Sequence, residues 1–108
     1  MRITLERIGG FTGMRMTRVI NTDQLPSKEA DQLHQLLTKT DFFHQPAEIL
    51  ESRRQPDRFQ YRVCVEDGKR KHTVLVSETA MSHQFRQLID RLNAALRKPT
   101  ASREDEGA

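Results

Sequence analysis

The sequence has one cysteine, Cys64, in 108 residues, so it cannot form an internal disulfide or a CxxC metal site. Four histidines occur, but no two are spaced four residues apart, and the HExxH pattern of zinc peptidases is absent. We therefore predict surface or half-buried histidines, no metal site and no cofactor.

Patterns of catalytic residues are also missing. The sequence contains no GxSxG, P-loop or GxGxxG motif, and Cys64 has no neighbouring histidine in the sequence to activate its thiol. Gly9, Gly10 and Gly13 lie between two extended segments, so no helix begins there to bind a phosphate. The prediction is a protein without enzymatic activity and without catalytic residues.

Long apolar runs are absent as well, since no stretch of 18 apolar residues occurs and the first residues are mixed in polarity. This argues against a membrane partner and against classical secretion. We expect a cytoplasmic location, with export by a non-classical route left open.

What the sequence does contain is a regular alternation of elements. Alternating residues at 2–6 and 14–20, separated by glycines, predict a β-hairpin, and residues 59–66 and 72–76, separated by Asp67-Gly68, predict a second one. Helical spacing of apolar residues predicts one helix after Pro26, capped by Ser27, and another over 85–96, capped by Ser82 or Thr79. The fold class predicted is α+β, in the order ββαββα, with a four-stranded antiparallel sheet and two helices packed on one face.

The chain is expected to form one domain over residues 1–97, followed by a disordered polar tail over 98–108. The tail begins at Lys98-Pro99 and contains no large apolar residue. A chain of this length supports a single core, and the free protein is expected to be a monomer.

Six short segments stand in a characteristic order and spacing: Glu6 to Gly13, Leu25-Pro26, Phe42-Phe43, Asp57 to Arg62, Val65 to Gly68 and Thr73 to Glu78. Taken together, they resemble the emfourin family of small proteinaceous inhibitors of thermolysin-like zinc metallopeptidases such as protealysin. The resemblance covers residues 1–96 and implies a bacterial inhibitor that binds and blocks the active-site cleft of such a peptidase.

Under this interpretation, the tip of the first hairpin is the best candidate for the peptidase-binding segment. It comprises Ile8, Gly9, Gly10, Phe11, Thr12 and Gly13. Glycines allow close approach of backbones, and Phe11 is a large apolar residue in a loop where the local pattern does not require one. Phe11 either anchors in the peptidase cleft or folds back over the sheet edge, and the sequence leaves both open. Asp57 and Arg58 form a weaker, secondary candidate contact.

A different class of function competes with inhibition. Basic residues at 53, 54 and 58 and at 69–71, in a chain of net charge +3, could bind nucleic acid or an acidic partner as an intracellular adaptor. Aromatic residues are scarce, with no tryptophan and one tyrosine, and acidic residues interrupt the basic ones. Nucleic acid is therefore the less favoured partner.

Overall fold

The computed structural model describes residues 1–9, 15–51 and 59–97. In this part of the chain the elements are β1 (Arg2–Gly9), β2 (Arg15–Asn21), α1 (Ser27–Lys39), β3 (Glu48–Ile49), β4 (Phe59–Asp67), β5 (Arg70–Ser77) and α2 (His83–Arg97). Short 3-10 turns occupy Thr22–Gln24, Phe42–His44 and Glu78–Ala80. The predicted tail over 98–108 lies outside the described residues.

The five strands form one mixed sheet in the order β2-β1-β4-β5-β3, in which β3 runs parallel to β5 and the other pairs are antiparallel. The predicted four-stranded antiparallel sheet and the order ββαββα are therefore wrong in detail, because β3 adds a fifth strand and the order is ββαβββα. Glu48–Ile49 is too short to show a period of two, and its position depends on a distant contact: the Leu75 N–H donates to the Ala47 carbonyl at 2.8 Å.

One face of the sheet forms the core. Alternate residues of the four long strands are buried on it, namely Ile3, Leu5, Ile20, Tyr61, Val63, Val65, Val74 and Val76. Val74 and Val76 are fully buried on this face, whereas Leu75 between them is only half-buried. The opposite face, here called the open face, carries Cys64, which lies opposite Thr4 and Thr73, and the ion pair between Arg62 and Glu6.

Both helices pack on the core face, as predicted. α1 buries Leu33 and Leu37, and α2 buries Phe85, Leu88, Ile89 and Leu92, all within the same cluster as the strand residues. The interior of the protein is thus one layer of apolar side chains between helices and sheet.

The helix starts differ from each other. Ser82 caps α2 as predicted, because its Oγ accepts the Phe85 N–H at 3.1 Å. The prediction that Ser27 caps α1 is wrong: Pro26 precedes the helix, and its carbonyl accepts the N–H groups of Glu29 and Ala30. Since Ser27 is itself the first helical residue, it lies one position too late to act as the cap.

Of the two adjacent phenylalanines, Phe42 closes the edge of the core. Its side chain is 1% exposed, and its ring lies 6.2 Å from that of Phe85 and 5.7 Å from the imidazole of His72. Phe43 stays half-buried, and the Arg70 guanidinium lies over its ring at 4.1 Å.

Candidate functional site at the tip end of the sheet

The strand order places the residues that adjoin the two predicted contact segments, Gly9 and Phe59, at the same end of the sheet. Gly9, the last residue of β1, lies directly opposite Phe59, the first residue of β4. The hairpin tip follows Gly9 in the chain, and Arg58 precedes Phe59, so both segments are attached to neighbouring strands at one end. We call this end, with Gly9, Phe59 and Ser77, the tip end. The β4–β5 turn at Gly68 lies at the other end.

The individual predicted residues fall partly within the described chain. Ile8 is half-buried at the end of β1, between Arg15 of β2 and Gln60 of β4, and Gly9 has a φ of 101°, a conformation that favours glycine. Gly10, Phe11, Thr12 and Gly13 lie outside the described residues, as do Asp57 and Arg58. The structure therefore describes the base from which these segments leave the sheet.

Arg7 lies at the centre of that base, although the sequence did not identify it as a candidate. The guanidinium lies 4.6 Å from the centre of the Phe59 ring, and its Nη2 lies 2.9 Å from the sulfur of Met16. A cation over an aromatic ring and a polarisable sulfur beside it are both favourable contacts. These contacts connect β1 to β2 on one side and to β4 on the other.

A signal for Arg7 was present in the sequence. Arg7 shares the phase of Ile3 and Leu5, the two residues that alternation places on the core face. A charged residue on the apolar phase of a strand needs a partner, and here it lies where the core ends and the aromatic ring of Phe59 is available.

Tyr61 extends the same cluster toward the core. Burial raises the pKa of its hydroxyl above the usual value, and the carboxylate of Glu78 raises it further. Arg7 acts in the opposite direction through its charge and a hydrogen bond to Tyr61, as does the charge of Arg86. The phenol therefore stays neutral at physiological pH and is surrounded by groups of both signs.

Glu78 joins the 3-10 turn after β5 to this end of the sheet. Its Oε1 accepts the Phe59 N–H at 3.3 Å, and its backbone carbonyl accepts from Nη2 of Arg86, in the first turn of α2, at 2.8 Å. The start of β4, the end of β5 and the start of α2 are therefore connected by hydrogen bonds.

Strand β2 forms one side of the tip end and is the most exposed strand of the sheet. Four consecutive residues, 16–19, are exposed, including Met16 at 37% and Val19 at 57%. Exposed apolar side chains on a strand are a common feature of protein-binding surfaces.

The basic residues of the alternative function fall only partly within the described residues. Arg70 pairs with Asp67 at 3.2 Å and Lys71 with Glu66 at 3.5 Å, at the end of the sheet remote from Phe59. Residues 53, 54 and 58 lie outside the described residues, in a segment whose following residue, Phe59, is at the tip end. The pairing of Arg70 and Lys71 with carboxylates disfavours nucleic-acid binding at the β4–β5 turn.

Within residues 1–9, 15–51 and 59–97, no three His, Cys, Asp or Glu side chains come together as metal ligands would. The histidines are exposed, apart from His72, which is half-buried, as predicted. Neither described helix is long and apolar enough to cross a membrane.

The fold and this end of the sheet define a small two-layer α+β protein whose helices cover one sheet face. The chain belongs to the emfourin family, whose model matches residues 5–93. The match begins within β1 and includes every later element up to most of α2. Comparison with curated proteins and with solved structures gives no match.

Proposed function

We propose that the protein inhibits a thermolysin-like zinc metallopeptidase of the protealysin type by binding over its active-site cleft. Membership of the emfourin family carries this proposal, because the family is one of metallopeptidase inhibitors. The function requires no catalytic residue or cofactor in the inhibitor itself, and a peptidase is its partner.

The binding segment in this proposal is the hairpin tip, from Ile8 to Gly13, with Phe11 as the apolar anchor. Such peptidases have a catalytic zinc with one open coordination position and beside it a pocket that accepts large apolar side chains. The left-handed conformation of Gly9 supports a tight exit from β1 into the tip. Asp57 and Arg58 form the secondary contact, which the pairing of Gly9 with Phe59 supports.

The contacts of Arg7 suit this role. A segment that binds a cleft without being cleaved benefits from a fixed base, because less conformational freedom is then lost on binding. Arg7 joins the end of β1 to Met16 and Phe59, on the two neighbouring strands.

The direct test is a titration of residual peptidase activity with the purified protein, using several thermolysin-like enzymes. We expect a stoichiometric loss of activity for at least one of them. Full turnover of all of them at micromolar protein would refute the proposed function.

The anchor is tested by Phe11→Ala. We expect it to weaken inhibition by more than about 2 kcal/mol while the melting temperature stays nearly unchanged, because a hot-spot side chain contributes to binding and not to the core. Phe43→Ala is the matched control, since Phe43 lies at the other end of the sheet against Arg70. A large loss of stability with inhibition retained would identify Phe11 as a plug over the sheet edge.

A further inference from the structure

The outer edge of β2 presents backbone groups that β1 does not use. The Thr22 N–H donates to the carbonyl of Met1, the residue directly before β1, at 2.9 Å. This bond fixes which residues of β2 are hydrogen-bonded to β1. By alternation, the amides of Met16, Arg18 and Ile20 turn toward β1, whereas those of Thr17, Val19 and Asn21 turn away from it. In the part of the chain that the structure describes, no strand pairs with this edge.

The apolar side chains of β2 are arranged around the same edge. Among the described residues, three large hydrophobic side chains are exposed, and two of them are Met16 and Val19. Met16 lies opposite Arg7 on the helix side of the sheet, and Val19 lies opposite Thr4 on the open face. A strand added beside β2 would therefore cover apolar surface on both faces of the sheet.

Within the described residues, this edge lacks three of the usual protections against pairing, namely a short strand, a bulge and a proline. Its seven residues pair with β1 in an uninterrupted register, and the strand contains neither proline nor glycine. Its only charged residues are Arg15 and Arg18, so the strand is basic and has no acidic residue.

We propose that the β2 edge binds an extended, acidic segment of the target peptidase by strand addition, so that the segment becomes a sixth strand of the sheet. This inference rests on the proposed function. It follows from the outward amides, the exposed apolar residues on both faces and the basic charge, and from the position of β2 directly after the hairpin tip. A second copy of this chain fits less well, because it would pair two basic strands.

Amide hydrogen exchange on the full-length protein tests this directly, alone and in complex with a peptidase that the titration shows to be inhibited. In the free protein, the amides of Arg18 and Ile20 should exchange slowly, and those of Thr17, Val19 and Asn21 quickly. In the complex, the amides of these last three residues should become slow together. This alternating gain is specific to strand pairing, because simple burial would not select every second amide.

A substitution gives an independent measurement. Thr17→Pro removes an outward amide from an exposed edge position, where proline is tolerated, and should weaken inhibition at least about tenfold. Thr17→Val keeps the amide and is the matched control, for which inhibition should remain.

The outcomes separate the two proposals. If no peptidase is inhibited, the proposed function fails and the strand addition fails with it. If inhibition is normal but exchange at Thr17, Val19 and Asn21 does not slow, strand addition is wrong and the inhibitor function stands. If these amides become slow at high protein concentration without peptidase, the occupant is a second copy, which overturns the proposed partner. The exchange measurement needs no variant, so it tests strand addition even if Thr17→Pro fails to fold.

Discussion

The two edge strands of the sheet, β3 and β2, differ in length and in exposure. β3 is two residues long, and its surroundings are bonded to β5 through Ala47 and through the Glu51 N–H, which donates to Ser77 Oγ at 2.9 Å. β2 is seven residues long and exposes Met16 and Val19. A very short edge strand is one way in which proteins prevent unwanted pairing, and a long exposed one invites it. The sheet is therefore asymmetric, with one closed edge and one edge suited to binding.

The largest effect expected from this asymmetry is a contrast between neighbouring prolines in β2. Arg18→Pro removes an amide that faces β1 and leaves the Leu5 carbonyl without its donor, so we expect it to lower the free energy of unfolding by about 1–3 kcal/mol or more. Thr17→Pro removes an outward amide and should cost less than about 1 kcal/mol. Both side chains are exposed, so loss of core packing does not distinguish them.

Urea unfolding of the two variants beside the wild type measures the contrast. Equal destabilisation by Thr17→Pro and Arg18→Pro would contradict the assigned direction of the β2 amides. It would also remove the structural basis of strand addition, independently of any peptidase.

A smaller effect is expected at the closed edge. Ser77 is 6% exposed and accepts the Glu51 N–H, so Ser77→Ala should lower the free energy of unfolding by about 1 kcal/mol. The exposed Thr79, two residues later, is the control, and Thr79→Ala should change it by less than about 0.5 kcal/mol. Faster exchange of the Glu51 amide in Ser77→Ala should accompany the loss. If the two variants are equally stable, the Ser77 hydroxyl does not help to hold the chain beside β5.

The sequence predicted the elements of this fold better than their arrangement. The period of two in 59–66 and the helical stripe over 85–96 identify their elements, because each spans enough residues to show a period. Glu48–Ile49 could not be found in this way, since two residues have no period and the pairing depends on β5. The edge position of β2 was also hidden, because alternation within a strand does not reveal its neighbours.

For the candidate site as well, the sequence identifies a segment but not what lies beside it. The glycines and Phe11 mark the hairpin tip in the sequence, but the pairing of Gly9 with Phe59 depends on β1 and β4 being adjacent. In the sequence, Arg7 stands out only as a charged residue at a position that alternation assigns to the apolar face of β1. Its partners Met16 and Phe59, nine and 52 residues away in the chain, become visible once the sheet order is known.

The smallest effect concerns Tyr61 on the central strand β4 and appears only at alkaline pH. Burial, followed by the charge of Glu78, raises the pKa of its phenol in the folded protein above the usual tyrosine value of about 10. Above that pH the unfolded chain loses this proton more readily than the folded one, so the stability contributed by neutral Tyr61 is complete below pH 10 and decreases as pH rises through the folded pKa.

Tyr61→Phe should therefore flatten the alkaline decline in the free energy of unfolding, measured by urea titrations at increasing pH. The two proteins differ only in the Tyr61 hydroxyl, so the difference between the two curves isolates Tyr61. Because Tyr61 is the only tyrosine, its pKa can also be read from ultraviolet absorbance. A pKa at or below 10.0, or identical alkaline slopes for both proteins, would show that the side chain does not lie in the enclosed environment between Arg7 and the core.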